Sequence, residues 1–139
     1  MKGQMSLEVL ITLGLILSFS IPVLFLLLSV SQVGYETSSL LQADAAAGIL
    51  SDSINDIYSQ GPGAKRSLSL NVPTNTDSVI ILENEVIIRL RTSSGYYDAV
   101  APLAANVTQN IISRQGPFVA IITVAKDASD NVVVEVEAA

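Results

Sequence analysis

The sequence contains no cysteine and no histidine. Without cysteine there is no disulfide framework and no thiolate metal site, so a fold made from this chain is held by packing alone. Without histidine the usual general base, the commonest metal ligand and the physiological-pH switch are all missing. No Ser/His/Asp or Cys/His set can be assembled, and no enzyme and no cofactor are expected. Basic residues are scarce as well. Seven Lys and Arg stand against thirteen Asp and Glu, for a formal net charge of −6. That balance lacks the electrostatic footprint of a nucleic-acid binder, so no specific nucleic-acid partner is expected. What the chain has in excess is apolar surface: half of its 139 residues are hydrophobic. The length suits one small domain with an appendage.

The excess lies at the N-terminal end. Leu7 to Val30 is an almost uninterrupted apolar run in which Glu8 is the only charge. As a helix the run rises about 36 Å, enough to cross a hydrocarbon core of about 30 Å. Lys2 precedes it, and the first charge after it is Glu36. The positive-inside rule therefore keeps the N-terminus cytoplasmic and sends the C-terminal part outside. A secretory signal peptide, with Ser29-Val30-Ser31 as its cleavage site, is one reading, but the run is longer than the usual apolar region. A plain single-span anchor is another. Neither explains a carboxylate at membrane depth, which costs about 2–3 kcal/mol on insertion scales and is functional by default.

The residues Lys2-Gly3-Gln4-x-Ser6-x-Glu8 resemble the class III signal peptide of archaeal type IV pilins and related surface proteins. The resemblance implies cleavage by a membrane prepilin peptidase between Gly3 and Gln4, with Lys2, Gly3, Gln4 and Ser6 forming the recognised leader region. The apolar segment would stay on the mature chain, with Glu8 as its fifth residue. In that family an acidic fifth residue pairs with a new N-terminal ammonium, which offsets part of the desolvation of both charges in a filament core. Where the family often has an aromatic after this residue, the chain has Val9. The implied partners are further copies of the chain, the membrane before assembly, the prepilin peptidase, the pilus assembly machinery and related pilins.

No helix stop follows until Gly61-Pro62-Gly63. Pro22 removes one backbone hydrogen bond and is expected to bend or loosen the helix there. Beyond the run, Val33, Leu40, Ala47, Leu50, Ile54 and Ile57 recur on one helical face, with Glu36, Asp44, Asp52 and Asp56 elsewhere. From Gln4 to Gln60 such a helix would be roughly 85 Å long. The glycine-rich turn and the following Lys65 and Arg66 lack the spacing of a phosphate loop. They are read as a turn with solvated charges, and the stretch also resembles the helix-to-sheet junction of small archaeal class III signal proteins.

From Arg66 the pattern changes to period two. Leu68, Leu70 and Val72 alternate with Ser67, Ser69 and Asn71. Pro73 to Asp77 reads as a loop. Residues 78–82 and 86–91 read as a hairpin around Glu83-Asn84-Glu85, and 118–125 and 131–137 as a second hairpin around Lys126 to Asp130. Tyr96 to Arg114 adds one or two strands. In the last strand Val132, Val134 and Val136 face one way. The resulting expectation is an α+β fold: a leader at 1–3, an apolar assembly helix at 4–30, its amphipathic continuation at 31–60, and at 64–139 a head with one antiparallel sheet of about five or six strands packed on the helix.

On the head, Asn106-Val107-Thr108 is an N-x-Thr sequon, which makes Asn106 a candidate glycosylation site if the head is extracellular. Asp127, Asp130 and Asn131 lack the spacing of a calcium loop and are read as turn residues. Tyr96 and Tyr97 should point to opposite faces of a strand, as either an adhesive pair or a core contact. Together these features lead to the expectation of a filament subunit on the cell surface, made as a single-span membrane precursor. A minor tip subunit, or a membrane-retained adhesin with the same leader, is the alternative. An archaellin fits less well because the chain is short.

Overall fold

The computed structural model describes residues 2–114, 116–124 and 131–136. Chain packing divides the protein into two compact units, Met1–Thr37 and Ser38–Ala139. One long helix, α1 (Lys2–Ser59), contributes to both.

In the first unit the helix carries the apolar run. From Ser6 to Tyr35 every side chain is exposed, including Leu10, Phe19, Phe25 and Leu28. The helix assignment runs through Pro22 without interruption. The segment is long and apolar enough to cross a membrane, with a mean hydropathy of 2.6 over its most apolar window.

In the second unit the helix becomes the spine of the head. Ala47, Leu50, Ile54 and Ile57 are buried and Leu40 is partly buried, as the spacing predicts. Val33 departs from that face. It is 65 % exposed, because it precedes the start of the head's packing unit at Ser38. The buried face is also wider than the spacing of large residues shows, since Ala43, Ala46, Ser39 and Ser51 belong to it. Helix and strand residues share a single apolar core, in which Leu50, Ile54, Ile57, Ile81, Ile88 and Leu90 are among the large, fully buried side chains. Burying each of these is worth roughly 1.5–3 kcal/mol, and burial substitutes for the absent disulfides.

The helix ends where glycine permits. Gln60 and Gly61 donate backbone hydrogen bonds to the carbonyls of Ile57 and Tyr58, both at 3.1 Å, which tightens the last turn. Gly61 and Gly63 then take φ values of 89° and 88°, a region that side-chain-bearing residues avoid, and Pro62 between them cannot continue a helix.

Among the described residues seven strands follow: β1 (Lys65–Val72), β2 (Thr76–Ile81), β3 (Glu85–Thr92), β4 (Gly95–Pro102), β5 (Asn110–Ile112), β6 (Gly116–Val124) and β7 (Val132–Val136). They form two antiparallel sheets, ordered β1-β6-β7 and β4-β3-β2-β5. The expected single sheet is thus corrected to two. Period-two alternation fixes which residues face inward but not which strands pair. At the end of β1, Pro73 has no N–H to extend a ladder. Its carbonyl instead accepts from Thr76 in a turn at 3.1 Å, and the chain crosses to the other sheet. The two expected hairpins are present as the pairs β2–β3 and β6–β7. The turn at Lys126 to Asp130 lies outside the described residues.

Strand β2 starts at Thr76, inside the expected loop. A bulge there pairs Thr76 with Leu90 but Ser78 with Arg89. Ser78 and Val79 consequently both turn inward, while Asp77 turns out.

Candidate functional site: the exposed apolar segment and the head surface

The functional candidates fall in both units. In the first, Lys2, Gly3 and Gln4 lie in the opening turn of α1. Gly3, Ser6 and Glu8 are exposed, whereas the side chains of Lys2 and Gln4 lie outside the described residues. Glu8 shares a shallow, open stretch of the helix surface with Val9, Thr12, Leu13 and Ile16. The Thr12 hydroxyl donates to the Glu8 carbonyl at 2.8 Å, Ser29 to Phe25 at 2.9 Å and Thr37 to Val33 at 2.9 Å. These hydroxyls satisfy themselves on the helix one turn back, so they add little desolvation cost in an apolar setting. A carboxylate has no such local solution, and Glu8 is the one charged group in the run.

The rest of this surface is aliphatic and aromatic. Each fully exposed Leu, Ile, Val or Phe forgoes about 1.5–3 kcal/mol relative to burial. A contiguous surface of this kind marks a membrane or protein contact.

In the head, the sequon sits on an exposed extended segment. Asn106 and Thr108 are exposed while Val107 between them is 4 % exposed and anchors the strand-like backbone. The Asn106 carbonyl accepts from Val132, and the Thr108 N–H donates to the Val132 carbonyl, both at 2.9 Å. Backbone pairing therefore holds the segment while both sequon side chains remain accessible. A concave surface formed by Glu83, Asn106, Thr108, Gln109 and Asn131 surrounds it.

The tyrosine pair divides as the alternation predicts. Tyr96 is 64 % exposed, while Tyr97 packs against the core. The Tyr97 hydroxyl lies 3.2 Å from both oxygens of Asp44 on α1. Burial first, and then the Asp44 carboxylate, hold the phenol above its ordinary pKa. The contact is one that alternation within a single element cannot reveal. The same is true of the Ser51 hydroxyl donating to the Pro102 carbonyl, and of Asn55 Oδ1 accepting from Ala104 N–H at 2.9 Å.

Two arginine–aspartate pairs form on the outer face of the four-stranded sheet. Arg89 grips Asp98 through Nε and Nη2 at 2.7 and 2.8 Å, and Arg91 reaches Asp77 at 2.7 Å. The Arg89 fork is the main reason the Asp98 carboxyl is held below the usual range. Arg66, expected as a solvated charge, forms a half-exposed pair with Asp56 at 2.7 Å. Among the described residues no cluster of Asp and Glu is arranged to hold a metal ion. Asp127 and Asp130 lie outside the described residues.

No family model, no curated protein and no solved structure matches this chain, so its reading rests on its own residues.

Proposed function

We propose that the protein is a structural subunit of an archaeal type IV pilus-like surface filament. The observation that carries the reading is the division of labour along α1. From Ser6 to Tyr35 it presents only exposed side chains, nearly all apolar, and its last part contributes to the core of a β-rich head. That plan suits a subunit that is first held in a bilayer and then polymerised through its helix. The leader pattern Lys2-Gly3-Gln4-x-Ser6-x-Glu8 supports the same reading, with cleavage between Gly3 and Gln4.

The proposed sequence of events follows from the chemistry of that segment. The precursor sits in the membrane with its N-terminus in the cytoplasm. A prepilin peptidase frees the Gln4 amine, and an assembly ATPase with its membrane platform draws the subunit into a helical homopolymer. The apolar side chains exchange lipid for neighbouring helices at little net cost, since both surroundings are apolar. Glu8 pairs with a Gln4 ammonium in the low-dielectric core, where an unpaired carboxylate would be costly. Head-to-tail packing of this kind does not close on itself, as a filament requires.

Electron microscopy of cells carrying Glu8→Ala tests the role of Glu8. The reading expects filaments to be lost or sparse while the membrane-held precursor keeps a folded head. Normal filaments from that variant would remove Glu8 from assembly.

A further inference from the structure

The outer face of the four-stranded sheet carries an apolar row that the head's own core does not use. Strand register aligns Val100 with Ile87, Ile87 with Ile80, and Ile80 with Ile111. One β-branched residue from each strand thus forms a continuous line about 14 Å long, three strand spacings wide. Val100 is 54 % exposed and Ile111 67 % exposed, at the two edges, and the two central isoleucines are half-buried by their neighbours. Singly exposed aliphatic residues need no explanation, but an in-register row across a whole sheet is a contact surface in shape and chemistry.

The charges around the row indicate what covers it. On β3, Glu85 and Arg89 flank Ile87 at two residues to either side and share its outward face, while Val86, Ile88 and Leu90 are buried. A two-fold axis along the row sets Ile87 of one copy over Ile87 of another. The same operation brings Glu85 of each copy opposite Arg89 of the other. Asp98 engages Nε and Nη2 of Arg89, so Nη1 is the nitrogen that meets the incoming carboxylate. Arg91 and Asp77 are paired within the sheet. A second copy therefore sets each Glu85 against a guanidinium and not against another carboxylate, although the whole chain is acidic at −6.

From this self-complementarity we infer that the β4-β3-β2-β5 face is a contact between two copies of this chain, sheet against sheet. Four aliphatic residues fall well short of the roughly 800 Å² per partner that stable complexes bury. The contact is accordingly weak for an isolated pair and effective where many copies are held on one surface, through avidity. It uses neither the apolar helix nor Glu8, and so stands independently of polymerisation through α1.

The absence of native cysteine gives a clean test. Full-length chain carrying Ile111→Cys is reconstituted at high density in phosphatidylcholine vesicles. It is then treated with a bis-maleimide whose reach matches the ~10 Å between stacked sheets. Ser69→Cys, exposed on β1 of the other sheet, serves as the control. The inference predicts at least five-fold more cross-linked dimer from Ile111→Cys than from Ser69→Cys. Adding Glu85→Arg, or separately Val100→Lys, should bring that yield down to the control level while circular dichroism stays unchanged. Equal yields at the two cysteines would overturn the inference, as would a dimer insensitive to both added substitutions. The cross-link is read whether or not filaments form, so a failure here is distinct from a failure of the filament reading.

Discussion

Asp44 on α1 and Tyr97 on β4 meet across the head, with the phenol 3.2 Å from each carboxylate oxygen. The contact ties the helical spine to a strand more than fifty residues later in the chain. Tyr97→Phe removes the hydroxyl and keeps the ring in the core. Because the bond is at the surface, the loss should be about 0.5–1 kcal/mol in thermal or denaturant unfolding. Asp44→Ala in the Tyr97→Phe background should add little further loss, since the shared bond is already gone. The pH dependence has a definite sign. The folded-state pKa of Tyr97 is raised, so its contribution is full below the unfolded value of about 10 and is lost as pH rises through the folded value. The Tyr97→Phe chain should therefore show a shallower loss of stability above pH ~10.

The helix surface gives a contrast within one element. Leu50 is fully buried and Leu41, nine residues earlier, is 65 % exposed. Leu50→Ala should cost about 2–5 kcal/mol, from lost apolar burial and the cavity left behind. Leu41→Ala should stay within about 0.5 kcal/mol in the same unfolding experiment. Comparable losses at the two sites would contradict the burial pattern of the head.

Asn106 offers a chemical readout of location. Its side chain is exposed and the adjoining backbone is held by Val132. Glycopeptide mass spectrometry of native material is expected to find a glycan on Asn106, and Asn106→Gln to remove that mass without altering the fold. A bare Asn106 in native material would end this assignment.

Much of this architecture was legible in the residues, and the gaps have physical causes. The span-length apolar run, the helix stop at Gly61-Pro62-Gly63 and the inward face of β1 follow from periodicity and turn chemistry. Those signals are local. Strand partners are not local, so alternation left open that β1 pairs with β6 while β2 and β3 build a different sheet. Alanine hides a buried helix face, because Ala43 and Ala46 fit equally well inside or outside, and Val33 had the right spacing but lies ahead of the head's packing unit. At the candidate sites the sequence pointed to Glu8 and Asn106 through motifs. It was silent on Asp44 with Tyr97 and on Arg89 with Asp98, which only the pairing of elements brings together. The apolar row Val100-Ile87-Ile80-Ile111 was hidden for the same reason: each residue is ordinary in its own strand, and only the register aligns them.

The central claim is that the apolar helix stays on the mature chain after its leader is removed. The most direct test is the N-terminal residue of the native chain, taken from membranes or filaments and read by mass spectrometry. The account predicts a start at Gln4. A start near Gln32, which discards the apolar run, or an uncleaved Met1 would contradict it.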